Sequence, residues 1–208
     1  MRRILCFGDS HTWGTGPDGR RLPRSLRWTG VLGRALAGRA EVIEDGVPGR
    51  TTALSDPEIP GRNGLASLPG ALRRAAPLHV VLFMLGTNDL HAWFQRSARQ
   101  IADGMEALVR CALHSGMGPR GGSPEVLLMA PPPIDERRAG RWFRGRGQVA
   151  RALAPAYEAV ARRWGVAFLD VTELVAPGAG DGVHMDAEAH RRLGLAVRET
   201  LERQGWAG

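Results

Sequence analysis

The 208 residues carry a formal net charge of +7 and are 43% apolar, enough for one folded domain (1–208) with a full core. All 28 basic residues are arginine, none is lysine, and they stand scattered in ones and twos, so specific nucleic-acid binding is not expected. The longest N-terminal apolar run, Ile4 to Phe7, is too short for a signal peptide or a membrane span, so a soluble, cytoplasmic protein is expected, with no membrane partner.

Five short apolar runs read as strands: Arg3–Phe7, Ala40–Glu44, His79–Leu85, Glu125–Ala130 and Val166–Val171. Between them, helical spacing predicts helices over Arg27–Leu36, Leu65–Ala76, Ser97–His114 and Gln148–Trp164, and Ala187–Gln204 closes the chain with Asp186 as its N-cap. Strand alternating with helix predicts an α/β domain, a five-stranded parallel sheet in a three-layer α/β/α arrangement, flavodoxin-like in outline. Ligand sites in such folds lie at the carboxyl ends of strands. Two long irregular segments, Gly14–Leu26 and Pro131–Gly147, are the candidate binding loops.

Polar blocks stand where the first three strands end: Gly8-Asp9-Ser10-His11, then Asp45-Gly46-Val47-Pro48-Gly49-Arg50-Thr51, then Gly86-Thr87-Asn88-Asp89. A fourth, Asp181-Gly182-Val183-His184, precedes the last helix. Together they supply the parts of acyl transfer. Ser10 is the nucleophile, His184 the base that takes its proton, and Asp181 the carboxylate that orients the imidazole. The tetrahedral intermediate needs donors for its oxyanion. The Ser10 N–H, the N–H of a glycine after the second strand and the Asn88 amide are the candidates. Asp9 and Asp89 read as loop braces, and His91 and His190 as surface or helix-side histidines.

These four blocks resemble the SGNH (GDSL-type) hydrolase family over nearly the whole chain, from Arg3 to the last helix. The resemblance implies Ser10, Asp181 and His184 as the catalytic set and Gly49 and Asn88 as partners of the Ser10 N–H in the oxyanion hole. Thr12-Trp13-Gly14, Arg27-Trp28-Thr29-Gly30-Val31-Leu32, Arg50-Thr51-Thr52 and Met84 to Asp89 are similar to the bacterial arylesterase and acyltransferase-like branch, as are the paired aromatics Trp142-Phe143. For that branch the resemblance implies short acyl esters as substrates, acyl transfer to alcohols beside hydrolysis by water, and homo-oligomers. One departure is His11, where GDSL-type motifs often carry leucine.

His11, Trp13, Trp93, Phe94, Trp142 and Phe143 flank these blocks and are the expected substrate-binding wall. No His, Cys and carboxylate set has metal spacing, Cys6 and Cys111 suggest no disulfide framework, and the mechanism needs no cofactor. Gly14-Thr15-Gly16-Pro17-Asp18-Gly19 matches a dinucleotide fingerprint only in letters, since six residues separate it from the strand. The rivals are a carbohydrate acetylesterase, a lysophospholipase or thioesterase and, outside enzymes, a nucleotide- or polyanion-binding module.

Overall fold

A computed structural model describes residues 1–208. Its five strands are β1 (Arg2–Gly8), β2 (Ala40–Gly46), β3 (Val80–Met84), β4 (Glu125–Met129) and β5 (Ala167–Leu169). They form one parallel sheet in the order β2-β1-β3-β4-β5. This is the flavodoxin-like order, and its topological switch point falls between β1 and β3. The helices are α1 (Ser10–Trp13), α2 (Trp28–Ala35), α3 (Gly64–Ala75), α4 (Ala98–Leu113), α5 (Gly147–Arg151), α6 (Leu153–Trp164) and α7 (Ala187–Arg203).

Side chains alternate across a strand, so the central strands face two cores. Leu5, Phe7, Val81, Phe83, Val126 and Leu128 pack with Leu72 of α3, Met105 of α4 and Tyr157 of α6. Ile4, Cys6, Leu82, Met84 and Leu127 pack with Trp28 and Leu32 of α2 and Leu193 and Val197 of α7. Every residue of β3 is buried, which explains its unbroken apolar sequence Val-Val-Leu-Phe-Met. No helix is long and apolar enough to cross a membrane.

Four of the five expected helices form within a few residues of their expected ends. Asp186 caps α7 as expected, its side chain accepting from the Ala189 N–H at 2.8 Å. The fifth, Gln148–Trp164, is divided into α5 and α6 at Ala152. The cause is Pro155, which has no N–H to give the Arg151 carbonyl and whose ring crowds it. His190 lies on a helix, α7, one of its two expected places, but it is not at the surface: it is fully buried and its Nδ1 accepts from the Trp28 N–H at 3.2 Å. Burial pulls its pKa down to about 4, so the ring is neutral.

The carboxyl ends of β1 and β2 approach the first turn after β1 so closely that side chains have no room. A Cβ at Gly46 would lie 2.2 Å from the Trp13 nitrogen and 2.7 Å from the Thr12 carbonyl carbon, both backbone atoms. Gly46→Ala is therefore expected to lower unfolding free energy by about 1–3 kcal/mol, the range for overpacking a tight site, in urea titrations. Unchanged stability would contradict the close approach of α1 to β2.

Candidate active site

Ser10 opens α1, one residue beyond β1, and is nearly buried. Asp9 caps this turn, its Oδ1 accepting from the His11 N–H at 2.9 Å. From the other end of the chain, His184 places Nε2 2.9 Å from Ser10 Oγ. Its Nδ1 lies 2.5 Å from Asp181 Oδ2. The other Asp181 oxygen accepts from the N–H groups of Val183 and His184, each at 2.9 Å. One carboxylate thus builds the turn and aims the ring. Gly182 completes the turn at φ +71°, a conformation that side chains disfavour. Burial pushes the Asp181 pKa up, but hydrogen bonds from the His184 ring and the two backbone groups outweigh it and hold the carboxyl below its usual range. With Nδ1 protonated and bound to Asp181, Nε2 is free to accept the Ser10 proton.

Beside Asp9, the residue before the serine, the loops after β2 and β3 meet. Asn88 Nδ2 lies 3.0 Å from the Arg50 carbonyl and 3.4 Å from Asp9 Oδ2. The amide therefore stands beside the Asp9–Ser10 and Gly49–Arg50 segments, the two that carry the other expected oxyanion donors. Gly49 sits at φ +81°, and its N–H donates to no protein acceptor.

A second layer holds these loops. Asp89 is fully buried and accepts from the Thr52 N–H at 2.8 Å and the Thr52 hydroxyl at 2.6 Å. Asp9 and Asp89 thus brace loops, as the sequence suggests. Arg50 donates to the carbonyls of Gly8 (2.9 Å) and Asp45 (2.7 Å) and to Asp45 Oδ1 (2.8 Å). Tyr157 of α6 donates its buried hydroxyl to the Leu85 carbonyl at 3.0 Å. A Cβ at Gly86 would lie 2.3 Å from that hydroxyl, so the third block needs glycine there. Arg50, Thr52 and Tyr157 were not among the expected site residues; the sequence signals were that Arg50 lies within a block at a strand end and that Arg50-Thr51-Thr52 is similar to the arylesterase branch.

The expected substrate wall is only partly assembled. Trp93, Phe94, Trp142 and Phe143 gather around His91, with the Trp93 and Trp142 rings T-shaped at 4.8 Å. His91 is half-buried at the centre of this cluster instead of lying on the surface, and burial lowers its pKa to about 4. Trp93 and Trp142 remain 45% and 48% exposed, so a ligand can reach them. The Pro131–Gly147 loop bridges the two halves of the site. The Asp135 N–H bonds the Gly182 carbonyl at 2.8 Å, and Arg146 donates to the Leu90 and Arg96 carbonyls. Trp13 stands apart, its ring covered by the Arg21 guanidinium at 3.2 Å.

His11 departs most from expectation. It is fully buried, 5.5 Å from the His184 ring between centroids, and neither ring nitrogen has a partner. It adjoins His184 but offers no surface to a substrate. Burial, with smaller contributions from the neighbouring His184 and His190, drives its pKa well below the usual range, so the ring stays neutral.

The profile of the family described as "GDSL-like Lipase/Acylhydrolase family" matches residues 6–192. The chain belongs to this family. Among solved structures, members similar to it over nearly full length include Est24, a carbohydrate acetylesterase from Sinorhizobium meliloti, and the aryl esterase of M. smegmatis. Est24 is 36% identical with a TM-score of 0.92, covering 98% of this chain and 100% of its own. The aryl esterase is 39% identical with a TM-score of 0.91, covering 98% and 99%. A 49-residue stretch is 35% identical to an uncharacterized lipoprotein, YqeF, of Bacillus subtilis; it covers 24% of this chain and 20% of that protein. The family and these esterase neighbours make the chain a carboxylic-ester hydrolase by class.

Beneath the serine, burial raises the Asp9 pKa to about 7, against the lowering effect of the His11 N–H and Arg50. An unfolded aspartate ionises near pH ~3.9, so the folded chain keeps a proton that the unfolded chain has lost. Stability from this group is fully present below about pH 4 and is lost as pH rises to about 7. Across that window, urea titrations of Asp9→Asn beside wild type are expected to move steadily in favour of the variant and then level off. A difference independent of pH would contradict the raised value.

Proposed function

We propose that the protein is a serine esterase that hydrolyses short-chain acyl and aryl esters through an acyl-enzyme on Ser10, and that it also passes the acyl group to alcohols. The supporting observation is the unbroken chain of hydrogen bonds from Asp181 through His184 to Ser10 Oγ. Ser10 Oγ attacks the ester carbonyl carbon as its proton passes to His184 Nε2, and Asp181 steadies the imidazolium. The carbonyl oxygen, now anionic, takes hydrogen bonds from the N–H groups of Ser10 and Gly49 and from Asn88. Collapse breaks the bond to the leaving oxygen, which takes the proton from His184. Water or an alcohol, deprotonated by the same nitrogen, then attacks the acyl-enzyme and releases Ser10. These steps use side chains and backbone alone.

A second reading, deacetylation of a carbohydrate, is favoured by the exposed Trp93 and Trp142, whose flat apolar faces suit a pyranose ring as well as an aryl ring. The two similar structures include one esterase of each kind.

Ser10→Ala is expected to lower kcat/KM for p-nitrophenyl acetate by several decades while leaving the thermal melting curve nearly unchanged. Retention of more than about a tenth of the activity would remove Ser10 as nucleophile, since loss of a triad member costs far more.

Acyl transfer requires an alcohol to compete with water at ~55 M, so the site must bind the alcohol or exclude water. The Trp93–Trp142 pair is the element that does this. With vinyl acetate and benzyl alcohol, Trp142→Ala is expected to lower the ratio of benzyl acetate to acetate. Hydrolysis alone by the wild type would leave a plain esterase.

A further inference from the structure

An asparagine amide is nearly symmetrical in shape and opposite in chemistry at its two edges: one donates two hydrogens, the other only accepts. Which edge Asn88 turns toward the serine decides whether it stabilises an oxyanion or repels it. Two acceptors meet that amide on its nitrogen side, the Arg50 carbonyl at 3.0 Å and Asp9 Oδ2 at 3.4 Å. A flipped amide would set its own oxygen against both, inside a site where Asp9 is 1% exposed and Asn88 8%. The Arg50 carbonyl is fixed by the loop. Asp9 is fixed because its other oxygen holds the His11 N–H at 2.9 Å. The 3.4 Å contact is longer than an ordinary N–H···O bond, so a developing oxyanion can share that hydrogen.

We propose that Asp9 is a positioning residue of the reaction: with the Arg50 carbonyl it locks Asn88 with its NH2 edge toward the segments bearing Ser10 and Gly49, and so prepares the oxyanion donor. This rests on the reading of Ser10 as nucleophile and Asn88 as oxyanion donor. The groups facing Asp9 are the Arg50 guanidinium, the Asp89 carboxyl, the Tyr157 hydroxyl and the neighbouring His11. Arg50 alone among them is a cation, and it favours the ionised form that grips the amide.

The discriminating variant is Asp9→Asn, which keeps the size of the side chain. Its oxygen can still cap α1 at the His11 N–H, but its NH2 group then faces the NH2 of Asn88, donor against donor. A role confined to capping predicts nearly full activity. A positioning role predicts a loss of kcat of at least tenfold with little change in KM.

The experiment is a double-mutant cycle on p-nitrophenyl acetate at pH 8.5, above the Asp9 value of about 7, using wild type, Asp9→Asn, Asn88→Ala and the double variant. Asn88→Ala is expected to lower kcat by ~10²–10³, as loss of one oxyanion donor does. The double variant is expected to be no slower than Asn88→Ala, because without the amide there is nothing to position. An Asp9→Asn loss that persists undiminished in the Asn88→Ala background, or no loss at all, overturns the proposal. No kcat effect of Asn88→Ala overturns the oxyanion role itself, and an active Ser10→Ala in the same assay overturns the nucleophile, so the three failures are distinguishable. Should Asp9→Asn not fold, the wild type still decides. At pH 8.5 the two hydrogens of its Asn88 side-chain amide, assigned by their loss in Asn88→Ala, should cross-relax with the Asp9 β-protons and exchange slowly with water. Exchange at the rate of an exposed amide, or no proximity of the NH2 group to Asp9, overturns the proposal.

Discussion

Buried Arg50, through its guanidinium and its carbonyl, joins the carboxyl ends of three strands at the candidate site. Its donors hold Gly8 at the end of β1 and Asp45 near the end of β2, it lies 3.9 Å over the Phe7 ring, and its own carbonyl takes the Asn88 amide beyond β3. Burial lowers its pKa from the usual arginine value, and the Asp45 carboxylate works against that shift. A buried ion pair need not add net stability, but removing one partner leaves an unpaired charge, at a cost of about 3–5 kcal/mol. Its worth here is geometric. The strand order sets β1 between β2 and β3, and one residue, through its guanidinium and its carbonyl, ties the loops bearing Ser10, Gly49 and Asn88 to each other.

The proposed base arrives by a different route. His184 comes from the turn before α7, and its position depends on Asp181 below and on the long fourth loop, which docks at Gly182 and reaches across to Leu90 and Arg96. The same loop carries Trp142 to Trp93. Whatever displaces it disturbs the His184 turn and the Trp93–Trp142 pair together. The site also carries polar groups that stability alone would not select. Asp9 and Asp89 are buried carboxyls with pKa values raised to about 7 and about 6, and His11 has no hydrogen-bond partner on either nitrogen. A buried, unsatisfied polar group costs roughly 1–3 kcal/mol.

The sheet was legible because its three central strands are short apolar runs covered on both faces, and the helices because their apolar residues recur at helical spacing. The four polar blocks gave away the site because each stands at a strand end or just before a helix. What escaped were contacts between residues far apart in sequence. Arginine is usually a surface residue, so Arg50 read as part of a motif and not as the tie between three strands. Tyr157 reaches Leu85 across 72 positions, and nothing local announces it. Pro155 did announce the break in the expected Gln148–Trp164 helix, and the apolar period carried too much weight against it. His190 was legible too: with Ala189, Leu193, Gly194 and Val197 it lies on the buried stripe of α7. The aromatic residues gave composition but not direction, which is why Trp13 was grouped with a cluster it does not join.

The account stands on covalent transfer of the acyl group to Ser10. Its most direct test is peptide mass spectrometry of enzyme quenched in acid during turnover of an excess of p-nitrophenyl butyrate. The account predicts a butyryl increment on the peptide containing Ser10, absent in Ser10→Ala and accumulating in His184→Ala only if that variant still acylates. A fully active enzyme with no acylated peptide under conditions where chemistry is trapped, or with the acyl group on another residue, would contradict it.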